Sequence, residues 1–93
     1  MDPIRFSGQI RHWKPELAGG LAVVDVPPPL VGAFGGLKQQ RVRGTIGSAD
    51  FASNVMPAGG GRLALSVSRQ MLAAAGLSVG DVGEFAVTSV GRD

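Results

Sequence analysis

His12, Trp13 and Lys14 stand side by side, an imidazole, an indole and an ammonium within three residues. An indole face stacks on flat or cationic groups and an ammonium holds an anion, so this run has the chemistry to grip a planar, negatively charged ligand. The competing role for Trp13 is to plug one end of a small core, with His12 and Lys14 left in water. His12 is the only histidine, and cysteine is absent. A transition-metal site would have to gather carboxylates around that single imidazole. Asp2, Glu16, Asp25, Asp50, Asp81, Glu84 and Asp93 show no ligand spacing, so neither a metal nor another cofactor is expected. Nucleophilic catalysis has no better footing, because no Gly-x-Ser-x-Gly elbow occurs. "GGGR" (59–62) lacks the Lys-Ser/Thr pair and the helix that a phosphate cradle needs. Asp81, after Ser78-Val79-Gly80, is placed to accept turn N–H groups rather than to act as an acid.

Two further sets of residues are candidates. Arg5 and Arg11 alternate with apolar residues in "IRFSGQIR", as Arg41 and Arg43 do in "RVRGTI". If those strands lie near each other, the four arginines form a cationic stripe with Gln9 and Thr45, and such a stripe tracks phosphates. The alternative is a solvated strand face. The second set is small: Gly8, Gly44, Ser53, Gly83 and Ser89 fall on inward positions among larger apolar residues. Either they leave a cavity for one small ligand, with Gly44, Ser53 and Gly83 lining it, or glycine relieves crowding where strands curve.

The elements that must carry these residues are short. Fifteen glycines and six prolines in 93 residues imply frequent turns. Period-two alternation marks strands over 4–10 and 41–46, and "LAVVDV" (21–26) is apolar enough for a strand buried on both faces. Residues 12–20 form a connection. Pro27 to Pro29 end the second strand and start a short helix over 29–34, stopped by Gly35 and Gly36. "GSAD" (47–50) turns the chain into a hairpin partner over 51–56, and "PAGGG" (57–61) forms a loop. Leu63, Leu65 and Val67 face the core. Ser68 then caps a helix bearing Met71, Leu72 and Ala75, with Gly76 at its C-terminus. A last strand runs through Phe85 and Val87.

The same plan occurs twice. At an offset of 41 residues Val26 corresponds to Val67, Leu30 to Met71, Val31 to Leu72 and Gly35 to Gly76. Each half is a strand–helix–strand unit preceded by a further strand. Neither can cover its own apolar face, so the two should close on each other as one barrel.

The run "IRFSGQI…W…LAVVDVP…FGG…VRGTIGSADFASNVMP…GGGRLALSV…AAGLSVGD" resembles the bacterial domain-of-unknown-function family 1905 from Ile4 to Val90. "VRGTIGSADF" followed by "MP", and "AAGLSVGD", are its most specific parts. Gly83 stands where that family usually has a β-branched residue, and the three consecutive prolines are unusual for it. The resemblance implies a double-split β-barrel, an architecture shared with the AbrB and MazE type DNA-binding regulators and antitoxins. In those, two chains each give half the barrel; here one chain would supply both. The family brings no established activity or catalytic residue.

The composition sets the remaining bounds. The chain has 44% hydrophobic and 17% charged residues, ordinary for a globular domain, and its length suits one domain over 1–93. A net charge of +2 permits a nucleic-acid partner without requiring one. No run reaches transmembrane length and the N-terminus does not read as a signal peptide, so a cytoplasmic monomer without membrane association is the expectation. The expected function is a non-catalytic binding module for a small apolar molecule or a protein partner. An AbrB-like nucleic-acid binder is the first alternative. The second is a small biosynthetic enzyme that shapes an apolar substrate inside the barrel.

Overall fold

In a computed structural model of the chain, residues 3–14 and 21–91 are described. Residues 15–20 of the expected 12–20 connection lie outside them. Six strands close into an all-antiparallel barrel in the order β1-β2-β5-β4-β3-β6. They are β1 (Ile4–His12), β2 (Ala22–Asp25), β3 (Gln40–Ile46), β4 (Ala49–Gly59), β5 (Arg62–Val67) and β6 (Val82–Gly91). The helix α1 (Arg69–Ala75) lies between β5 and β6 and packs against β4. The protein is mainly β, with two short helical segments, as the sequence pattern requires.

The strand registers contain the internal repeat. Val24 pairs with Leu65 and Thr45 pairs with Ala86, each its own counterpart at the 41-residue offset. A pseudo-twofold axis therefore passes through both pairs and exchanges β2 with β5 and β3 with β6. Ile10 pairs with Val24 as Val55 pairs with Leu65, so β1 and β4 correspond at an offset of 45. Between equivalent positions, the link from β1 to β2 is four residues longer than that from β4 to β5. β1 leaves β2 beyond Ile10 and β4 leaves β5 beyond Val55, which are the two splits of the barrel.

Packing explains the closure. Val24, Val42, Ile46, Val55, Leu65 and Val87 are 0–1% exposed and fill the interior from both halves. β2 is buried on both faces, with Ala22, Val23 and Val24 all shielded. Phe6 faces Phe85 across β1–β6 with stacked rings 5.3 Å apart. The openings are filled by Phe34 and Met71, one from each half. Trp13, offered by the sequence as a plug, is half-buried and does not belong to the core cluster.

The helical segments match the expectation only in part. Ser68 caps α1, its Oγ accepting the Met71 N–H at 3.1 Å, and Gly76 ends it in the left-handed region at φ 69°. Its counterpart Gly35 sits at φ 84°. Yet the stretch 28–34 forms two 3-10 turns, Pro28–Leu30 and Gly32–Phe34, not one helix. Pro28 and Pro29 have no N–H to give, and Gly32 has little helix propensity. The expected 47–50 turn shrinks to Gly47-Ser48, with positive φ at Gly47, and β4 begins at Ala49. β4 also runs through Pro57, where a loop was expected. A register shift between Pro57 and Gly59 lets the ladder tolerate the missing donor.

Candidate functional site

β1 and β2 end together at His12 and Ala22, which are directly opposite. Ala22 also pairs with Val67, the last residue of β5, and Ser68 and Arg69 follow at the start of α1. Strand ends and helix start thus meet at one lip of the barrel. They enclose a groove of about 350 Å³ floored by Ala22 and Val67, walled by Leu21, Leu72 and Val79, and edged by His12, Ser68 and Arg69. Leu21 and Val79 are 46% and 37% exposed, so two large aliphatic side chains stay in water at this one place. A second depression, of about 330 Å³, adjoins it on the other side of His12 and Val79.

The groove edge is polar, and its groups are donors. His12 Nδ1 is buried with no hydrogen-bond partner among the described residues. Ser68 Oγ accepts from the helix backbone, so its hydroxyl proton is free to donate outward. Among the described residues no carboxylate lines the groove.

The run 12–14 is divided. His12 lines the groove, Trp13 gives its backbone N–H to Leu21 O at 2.7 Å and closes the base of the β1–β2 connection, and Lys14 is exposed. The inward small residues do not meet around a chamber. A Cβ on Gly44 would lie 1.9 Å from the Ala86 carbonyl oxygen, one on Gly8 2.6 Å from Val24 Cγ2, and one on Gly83 3.0 Å from the Phe85 ring. Ser53 spends its hydroxyl on the Ser66 carbonyl at 2.6 Å, bridging the split between β4 and β5. Ser89 donates to Gln40, whose amide in turn donates to the Phe34 carbonyl. These residues serve close strand approach and satisfy buried polar groups.

The arginines are likewise divided. Arg5, Arg41 and Arg43 lie on the outer face of β1–β6–β3, Arg5 opposite Ala86 and Arg43 opposite Thr88. Arg11 turns the other way. Its Nε and Nη2 donate to the two Asp25 oxygens at 2.8 and 2.9 Å, and Nη1 donates to the His12 and Trp13 carbonyls. That bidentate bond holds the Asp25 carboxyl below its ordinary range and raises the guanidinium. Beside Arg5 a polar hollow of about 500 Å³ carries Thr45 and Glu84 on its walls, mixing both signs of charge. Asp81 accepts the Ser78 N–H at 2.8 Å and is a turn residue, as its sequence context requires. Among the described residues no three of His, Cys, Asp and Glu gather into a metal-binding group.

The groove was not legible as a site because it is assembled from four separate segments. The signal that was available is the repeat: at the corresponding offsets His12 faces Pro57, Ser68 faces Pro27 and Arg69 faces Pro28. One lip of the barrel has His12, Ser68 and Arg69 where the other has prolines.

Fold and site together define a small closed double-split barrel with a one-sided apolar groove at its lip. The chain belongs to the domain of unknown function family DUF1905, whose profile matches residues 6–87. Among curated proteins no relative matches it.

Proposed function

We propose that this protein is a non-catalytic binding module that takes a small apolar molecule in the groove between His12, Leu21, Leu72 and Val79. The observation that carries this reading is the exposure of Leu21 and Val79 around one concave, aliphatic hollow. Apolar surface left in water in a concavity is stabilised by a ligand that covers it, at roughly 25 cal/mol per Å². The closed barrel leaves unpaired strand segments only at its two splits, which favours a monomer over an assembly through strand addition. An enzyme working inside the barrel would need polar groups converging there, whereas among the described residues the buried side chains are apolar apart from Gln40, which Ser89 and the Phe34 carbonyl satisfy. A phosphate-tracking stripe would lack Arg11, whose charge is matched by Asp25.

The test uses phenylnaphthylamine, a neutral apolar dye whose emission rises on leaving water. Emission should rise with the native protein and return to background with Leu72→Glu. It should persist with Val31→Glu, the equivalent change in the other half. Equal loss in both variants, or no rise at all, overturns the groove as the binding site.

A further inference from the structure

We infer that a second copy of this chain docks face to face on the outer wall of β1, β6, β3 and β4, with each Arg5 meeting the partner's Glu84 and each Arg43 the partner's Asp50. This wall shares no residue with the groove, and the pairing is independent of what the groove binds. The register brings four charges together. Arg5 stands opposite Ala86, Ala86 opposite Thr45, and Thr45 opposite Asp50, so one row across the four strands reads Arg5, Ala86, Thr45, Asp50. Glu84 lies two residues along β6 on one side of that row, and Arg43 two residues along β3 on the other. All four charged residues are exposed, while Val42, Ile46, Phe51, Phe85 and Val87 between them are buried. The pseudo-twofold axis through Thr45 and Ala86 exchanges Arg5 with Asp50 and Arg43 with Glu84. The backbone repeats here and every charge changes sign.

With strands about 4.8 Å apart and residues about 3.4 Å apart along them, the four positions outline a rectangle of about 8 by 12 Å. Both arginines lie along one long side and both carboxylates along the other. Arg5 and Glu84 are diagonal neighbours across β1–β6, as Arg43 and Asp50 are across β3–β4, a spacing that long side chains bridge. Yet none of the four forms an ion pair or side-chain hydrogen bond with a described residue. Instead a hollow of about 500 Å³ opens beside Arg5 and Glu84 and one of about 300 Å³ beside Arg43 and Asp50, with Thr45 common to both.

Turning a second copy over about the long midline of the rectangle lays each arginine on a carboxylate. Four ion pairs form together, and the contact is isologous: Arg5 meets Glu84, so Glu84 meets Arg5. Ala86 and Thr45 at the centre are small enough to let the two faces approach. A ligand of one charge matches only half of this pattern; a second copy matches all of it. The contact leaves both splits unused, so it needs no strand addition. It is small and polar, in the class of transient pairings, and the monomer is its dilute form.

The experiment is sedimentation equilibrium of the full chain at low salt. The mean mass should rise from one chain toward two as the protein is concentrated, and added salt should reverse the rise. Arg5→Glu sets carboxylate against carboxylate twice in each dimer and should weaken association at least about tenfold. Adding Glu84→Arg exchanges the two charges and should restore it. Arg43→Glu, alone and then with Asp50→Arg, should repeat both results at the other pair. Lys38→Glu, outside these strands, changes the net charge equally and should leave association unchanged. Each variant is checked for native circular dichroism, and if one pair of variants fails it the other pair carries the test. A mass of one chain at about 1 mM protein, association indifferent to the single reversals, or no recovery on exchange overturns the pairing. None of these outcomes touches the groove, which the dye reads separately.

Discussion

The first half of the barrel, β1 to β3, and the second, β4 to β6, share a register and differ in what they place at equivalent positions. Both halves end their helical segment on a left-handed glycine, Gly35 and Gly76. The first fills its opening with Phe34 from a pair of 3-10 turns; the second uses Met71 from a capped α-helix. The first places Val42 and Gly44 on the inner face of β3. The second reverses the sizes, with Gly83 and Phe85 on β6. The backbone thus repeats while bulk is traded between neighbours. The lips differ as well: one has His12, Ser68, Arg69, Leu21 and Val79 where the other has Pro57, Pro27, Pro28, Arg62 and Lys38.

The sharpest way to break that comparison is at the two glycines. At Gly44 the obstacle is the Ala86 backbone, which cannot move without parting β3 from β6. Gly44→Val should cost more than the roughly 1–3 kcal/mol usual for overpacking and leave little folded protein by thermal melt. At Gly83 the obstacle is the Phe85 ring, with Leu77 Cδ1 at 3.4 Å. Gly83→Val should cost about 1–3 kcal/mol, and adding Phe85→Leu should recover part of it as a positive coupling. Equal costs at both positions, without rescue, would mean that size is not traded between Gly83 and Phe85.

A smaller effect sharpens the comparison electrostatically. The Arg11–Asp25 pair belongs to the first half only, because the residues at the equivalent positions are Met56 and Ser66. The folded carboxyl lies below its ordinary 3.8, so its contribution is present in full above that value and fades as pH falls through the folded one. Both side chains are more than a third exposed, which limits the pair to under about 1 kcal/mol. Asp25→Asn should lower the melting temperature slightly at pH 7 and match the native protein at acid pH below the folded carboxyl's titration. A difference that persists in acid would assign the effect to packing instead.

What the sequence made legible follows from how local each feature is. The Ser68 cap, the glycine stops and the alternation of 4–10 and 41–46 are set within a few residues, and each appears where its pattern places it. The 41-residue repeat was legible because both halves conserve one register to themselves. The helix expected over 29–34 breaks into two 3-10 turns because the prolines suit a helix start but leave too few donors to sustain it. The partnership of Arg11 with Asp25 depends on cross-strand register, and no spacing along the chain reveals it. The groove is harder still. It gathers His12, Leu21, Leu72 and Val79 from different elements, and exposed Leu and Val read from sequence as core residues.

The central claim is that binding is one-sided, confined to the lip where Leu21, Leu72 and Val79 line an apolar groove. Backbone amide NMR of the full chain titrated with phenylnaphthylamine tests it most directly. The shifts should concentrate at His12, Leu21, Ala22, Arg69, Leu72 and Val79, with little change at the counterparts Arg62, Leu63, Val31 and Lys38. Shifts of equal size at both lips, or confined to the polar face around Arg5, Thr45 and Glu84, would contradict it.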